Sequence, residues 1–71
     1  MKNLNYKEVE FLHATLKKPV RVLLGSIASY QHSDKANAVC IFTIAGIIPV
    51  NETMDEVSKI IKEAGASEEN T

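Results

Sequence analysis

The sequence predicts a small α+β fold: four to five short antiparallel strands, then one C-terminal amphipathic helix packed on the sheet. Three observations predict it. Glu8-Val9-Glu10-Phe11 alternates strictly between charged and apolar residues, the period of a half-buried strand. Residues 38–44, Ala-Val-Cys-Ile-Phe-Thr-Ile, are almost continuously apolar, as in a central strand or one at a subunit interface. Thr53-x-x-Glu56 has the spacing of a capping box, in which each end of the motif satisfies a backbone N–H of the other.

The elements follow in order. Residues 8–14 form the first strand, with Val9 and Phe11 on one face and Glu8 and Glu10 on the other. Thr15 to Pro19 is a polar turn, and Pro19 sets a rigid φ at the start of the next strand. Val20, Val22 and Leu24 share one face of that second strand. Gly25-Ser26 permits a sharp bend, and Ile27 to Tyr30 continues as another strand. Gln31 to Asn37, polar except for Ala36, reads as a hairpin tip. The apolar strand at 38–44 turns at Ala45-Gly46 and returns through Ile47 to Val50. Met54, Val57, Ile60, Ile61 and Ala64 then fall on one helical stripe. Asp55 and Glu56 sit in its first turn, with Lys59 and Lys62 later, the order the helix dipole favours. Gly65 is the expected C-terminal cap. The whole chain, 1–71, is one domain with flexible ends at 1–6 and 66–71.

A single core in 71 residues gives little stability, and small domains of this kind are usually stapled by disulfides, a metal or oligomerisation. Cys40 is the only cysteine, so an intrachain disulfide is excluded. The chain is 45% apolar, and one helical stripe covers only one face of a sheet. The other face of the 38–44 strand then needs a partner, which points to a homo-oligomer. The start of the chain lacks an apolar core of signal-peptide length, and the apolar stretch at 39–50 is too short and interrupted to span a bilayer. The expectation is a reduced, cytoplasmic protein with no membrane association.

The formal net charge of −1 argues against a dedicated nucleic-acid binder. It hides an asymmetry. Residues 1–35 hold six basic residues against Glu8, Glu10 and Asp34, a formal +3, and residues 36–71 hold Lys59 and Lys62 against six acids, a formal −4. Such a chain can stack head to tail or offer a basic face to an anion.

Several of these segments match a known pattern. Lys18-Pro19-Val20, Ser26-Ile27-Ala28-Ser29-Tyr30 and Ile48-x-Val50-x-Glu52-Thr53-x-x-Glu56-Val57-x-x-x-Ile61 resemble the FlbD-like small proteins, first associated with flagellar and swarming genes and also carried by phages. The resemblance covers roughly residues 9–62 and implies a small regulatory protein of this fold. One departure is Leu24-Gly25-Ser26, where the pattern often has Asn or Asp before the Ile-Ala segment.

Candidate chemistry is sparse. His13, His32 and Cys40 match no zinc spacing, and Cys40 lies among apolar neighbours where a thiol is inert. Glu52, Asp55 and Glu56 are explained by helix capping and the dipole. The three glycines are isolated, so no phosphate-cradling loop is present. Lys17, Lys18 and Arg21 are the candidate anion site, with Tyr30 and His32 placed to stack a base. The sequence therefore predicts a non-enzymatic, homo-oligomeric regulatory protein without cofactor that recognises a protein partner. The alternatives are a phage-type sequestering protein holding a nucleotide-like anion between subunits, and a weak nucleic-acid-binding regulator.

Overall fold

The structure, a computed structural model, describes residues 6–69, with side chains described as far as Gly65. Residues 1–5 of the expected flexible arm, and residues 70–71, lie outside the described residues. Five strands and one helix follow in order: β1 (Glu8–Leu12), β2 (Pro19–Leu23), β3 (Ile27–Ser33), β4 (Ala38–Thr43), β5 (Gly46–Val50) and α1 (Met54–Glu69). All pairings are antiparallel. β1 and β2 form one sheet, and β3, β4 and β5 form a second in that order.

The strands divide because the chain bends between β2 and β3. A 3-10 turn at Leu24–Ser26 makes the bend. The Ser26 hydroxyl donates to the Leu23 carbonyl at 2.8 Å and braces the bend. The Ser26 carbonyl accepts from the Ile44 N–H at 3.0 Å and ties the bend to the β4–β5 turn. A bulge between Ile27 and Ser29 follows.

The two sheets meet again at the other end. Beyond β1, His13 bridges Val50, and Ala14 N–H donates to the Pro49 carbonyl at 3.0 Å. Asn51 N–H donates to the Leu12 carbonyl at 2.7 Å. The end of β1 thus runs antiparallel to the end of β5, and the backbone closes partway round a core.

Register explains the core. Tyr30, Ile41 and Ile48 form one cross-strand row of the second sheet, and His32, Val39 and Val50 form the next. Ile41, Val50, Phe11 of β1 and Val57 of α1 are fully buried. Val9, Val22 and Val39 complete the buried cluster, with Ile60, Ile61 and Ala64 of the helix packed against it. Val57, Ile60, Ile61 and Ala64 of the predicted helical stripe therefore cover the core, whereas Met54, at the start of the helix, is exposed.

The capping box forms as the sequence predicts. Glu56 N–H donates to Thr53 Oγ1 at 3.2 Å, and Thr53 N–H donates to Glu56 Oε1 at 2.9 Å. The helix does not stop at Gly65. It runs to Glu69 through a glycine that is not left-handed, so residues 66–69 of the expected flexible tail are helical. Nothing in Ala66-Ser67-Glu68-Glu69 opposes a helix as a proline would.

Other boundaries also moved. β1 ends at Leu12 rather than residue 14, because residues 13–17 form the turn to β2. β3 extends to Ser33 and takes in Gln31 and His32, which the sequence places in a loop. Both side chains are exposed, so composition conceals a strand whose backbone pairs fully with β4. Among the described residues no helix is long and apolar enough to cross a membrane.

Candidate functional site

Two surfaces stand out. The first is a cleft of about 490 Å³ where three turns converge. The β1–β2 turn contributes Thr15 and Lys17, the β3–β4 hairpin contributes Ala36 and Asn37, and the β5–α1 junction contributes Asn51 to Thr53. Its floor continues the inner row of His32, Val39 and Val50.

Each turn has a local cause. His13 Nδ1 accepts from the N–H groups of Thr15 and Leu16, both at 3.1 Å, and the His13 carbonyl accepts from Lys17 N–H at 3.0 Å. His13 therefore organises the β1–β2 turn, a role that its position at the end of an alternating strand did not announce. Lys17 closes that turn with a left-handed φ of 57°. The hairpin closes through Asn37 N–H to the Asp34 carbonyl at 3.2 Å, with Ala36 N–H on Ser33 Oγ at 3.2 Å. Asn37 is also left-handed, with φ 53°. At the third wall, both oxygens of Glu52 accept from Leu12 N–H, at 3.1 and 3.0 Å. Glu52, read from the sequence as a helix-start residue, instead clamps β1 to the β5–α1 junction.

The structure brings together two of the five predicted site residues. Lys17 and His32 both line the cleft. Lys17 Nζ donates to Asn51 Oδ1 at 3.3 Å, and His32 Nδ1 lies 3.4 Å from Asp34 Oδ1. Tyr30 is half-buried and packs against the core rather than offering its ring as a free stacking platform. Arg21 lies on the exposed face of β2, with its Nε 3.6 Å from Glu10 Oε1 on β1. Lys18 is exposed, and its backbone carbonyl accepts from His13 N–H at 2.9 Å. Neither Lys18 nor Arg21 lines the cleft. Thr15, Asn37 and Asn51 are cleft residues that sequence reasoning missed, since each is an ordinary turn residue until the fold assembles the three turns.

The second surface is the outer face of the β3–β4–β5 sheet. Cross-strand pairing places Phe42 beside Ile47 and Cys40 beside Pro49 on that face. Ile44, in the adjoining turn, is 87% exposed and Ile47 is 61% exposed. Phe42 and Pro49 are half-buried, and Cys40 is buried. The 38–44 strand is thus apolar on both sides, as the sequence predicts, with Val39 and Ile41 turned to the core. Among the described residues, no group of three His, Cys, Asp or Glu side chains could hold a metal ion.

In comparisons with family models, curated proteins and solved structures, no match to this chain was found.

Proposed function

We propose that this chain is a small non-enzymatic regulatory protein that self-associates and recognises a protein partner through apolar surface. The observation that carries the reading is the outer sheet face, where Phe42 pairs with Ile47 and Cys40 with Pro49 and Ile47 is largely exposed, with a second exposed isoleucine, Ile44, in the adjoining β4–β5 turn. Contiguous apolar surface on a small domain marks an interaction site. The FlbD-like pattern in the sequence supports a regulatory role, and the single, buried Cys40 suits a reduced cytoplasmic setting.

The magnitudes decide how much of the face must be covered. Full burial of an isoleucine side chain is worth about 1.5–3 kcal/mol. Scaled by their exposures, Ile44 and Ile47 from two copies would contribute roughly 4–9 kcal/mol. Association costs about 4–15 kcal/mol in lost freedom. The two isoleucines alone therefore match only the lower half of that range, and covering Phe42 and Pro49 with them adds to the gain.

The test is sedimentation velocity of the purified chain beside a double variant, Ile44→Lys and Ile47→Lys, with circular dichroism as the control for folding. A discrete oligomer that becomes a folded monomer in the double variant supports the reading. Sedimentation of both proteins as monomers would sink self-association. Copurification from the native host then reads the partner, which the wild type should retain and the double variant lose.

A further inference from the structure

We infer that the cleft between the three turns is a binding site for a small phosphomonoester, a phosphate carried on a polar body of nucleotide or sugar-phosphate size. The inference is independent of self-association, because the cleft lies within one chain and opens from the inner row of the sheet, whereas the apolar face is the outer one.

Four observations carry it. The volume of about 490 Å³ falls within the range of small-molecule sites and is far larger than inorganic phosphate requires. The lining is rich in hydrogen-bonding groups: the Lys17 ammonium, the His32 imidazole, the amides of Asn37 and Asn51, and the hydroxyls of Thr15 and Thr53. Ala14, Ala36 and Ala38 leave the room between them. Finally, the two non-glycine residues with left-handed backbone among those described, Lys17 and Asn37, both sit at this cleft.

The backbone at Lys17 is the most telling of these. Glycine is the residue favoured at a φ of 57°, yet the position that closes this turn carries a lysine whose side chain lines the cleft. Lys17 is exposed, and its backbone is held left-handed by the turn, where its own N–H donates to the His13 carbonyl at 3.0 Å. Its ammonium has three donors and spends one on Asn51 at 3.3 Å, a long bond that a phosphate oxygen would replace with a stronger, charge-assisted one. The N-terminus of α1 at the third wall is already satisfied by its own side chains, the Thr53–Glu56 capping box with Asp55 in the first turn, so the lysine is the cation left to receive the phosphate on this lining. Two acids lie near. The Glu52 carboxylate is turned onto the Leu12 amide, and Asp34 faces His32 from the hairpin. The phosphate therefore belongs at the Lys17 side, and the polar body reaches toward Asn37 and His32.

The test is a 1H–15N NMR titration of the full chain with adenosine monophosphate, glucose 6-phosphate and inorganic phosphate as separate probes. At least one of the two esters should shift the amides of residues 15–17, 37 and 51–53 saturably, and the better ester names the body. Lys17→Gln should weaken that affinity about tenfold or more, the worth of one hydrogen bond to a charged group. Lys17→Gly should lose binding while raising the melting temperature, because it relieves the left-handed strain. A residue with only a structural role would not move those two readouts in opposite directions. Asn51→Asp, which sets a negative charge beside Lys17, should also weaken binding. The inference is overturned if neither ester produces saturable shifts at millimolar concentration. Inorganic phosphate binding as tightly as both esters would overturn it too, as would esters that bind Lys17→Gln unchanged.

Discussion

Truncating Glu52 should loosen the closure between the two sheets. Its carboxylate receives the Leu12 N–H at 3.0 and 3.1 Å across 40 residues of sequence. In Glu52→Ala that amide loses its protein acceptor. A hydrogen bond to a charged group is worth about 1.5–3 kcal/mol. Leu12 and Glu52 are only half-buried, so water replaces part of the bond, and the lower end applies, about 1.5–2 kcal/mol. A domain of this length is stable by roughly 4–10 kcal/mol, so the loss is a substantial fraction. Each kcal/mol moves the melting temperature of so small a domain by about 4–8 °C, which gives a fall of about 6–16 °C. Glu52→Gln keeps an acceptor without the charge and should lose about half as much. Thermal melts of the three proteins at one fixed concentration, followed by circular dichroism, make the comparison. A Glu52→Ala variant within about 0.5 kcal/mol of wild type, the range of a neutral surface change, would refute the clamp.

Three further outcomes are expected. Thr53→Ala removes one half of the capping box and should cost about 1 kcal/mol in urea unfolding. An unchanged midpoint would mean that Thr53 is not the cap. Gly65→Ala should stabilise by up to about 1 kcal/mol, because Gly65 lies within the helix and an added Cβ meets nothing within 4 Å. A loss of stability instead would restore Gly65 as the left-handed cap that the sequence suggests. Val57→Ala deletes two methyl groups from a fully buried site and should cost roughly 1–3 kcal/mol by chemical denaturation, whereas a neutral result would mean that α1 does not seat on the core.

Local signals were legible in the sequence, and long-range ones were not. The capping box lies within four consecutive residues, and both of its hydrogen bonds form. Alternation at Val9 and Phe11 gives the buried face of β1, and the doubly apolar 38–44 segment gives the central strand of its sheet. The end of β3 was hidden because Gln31 and His32 are polar and exposed while their backbones pair with β4. The split into two sheets depends on a bend at Leu24–Ser26 held in part by Ile44, 18 positions further along. The cleft draws on turns separated by some 14 to 38 residues, so no local pattern announces it. Lys17, Lys18 and Arg21 are neighbours in sequence, yet a left-handed turn directs Lys17 into the cleft while Arg21 pairs with Glu10 across β1 and β2.

The central claim is that a small domain with an uncovered apolar sheet face works as an oligomer. Native mass spectrometry of the protein as purified from cells tests it most directly, since subunit number and any retained small molecule are read together. The account predicts a defined oligomer that falls to a monomer when Ile44 and Ile47 are both replaced by lysine. A bare monomer across the accessible concentration range would contradict it.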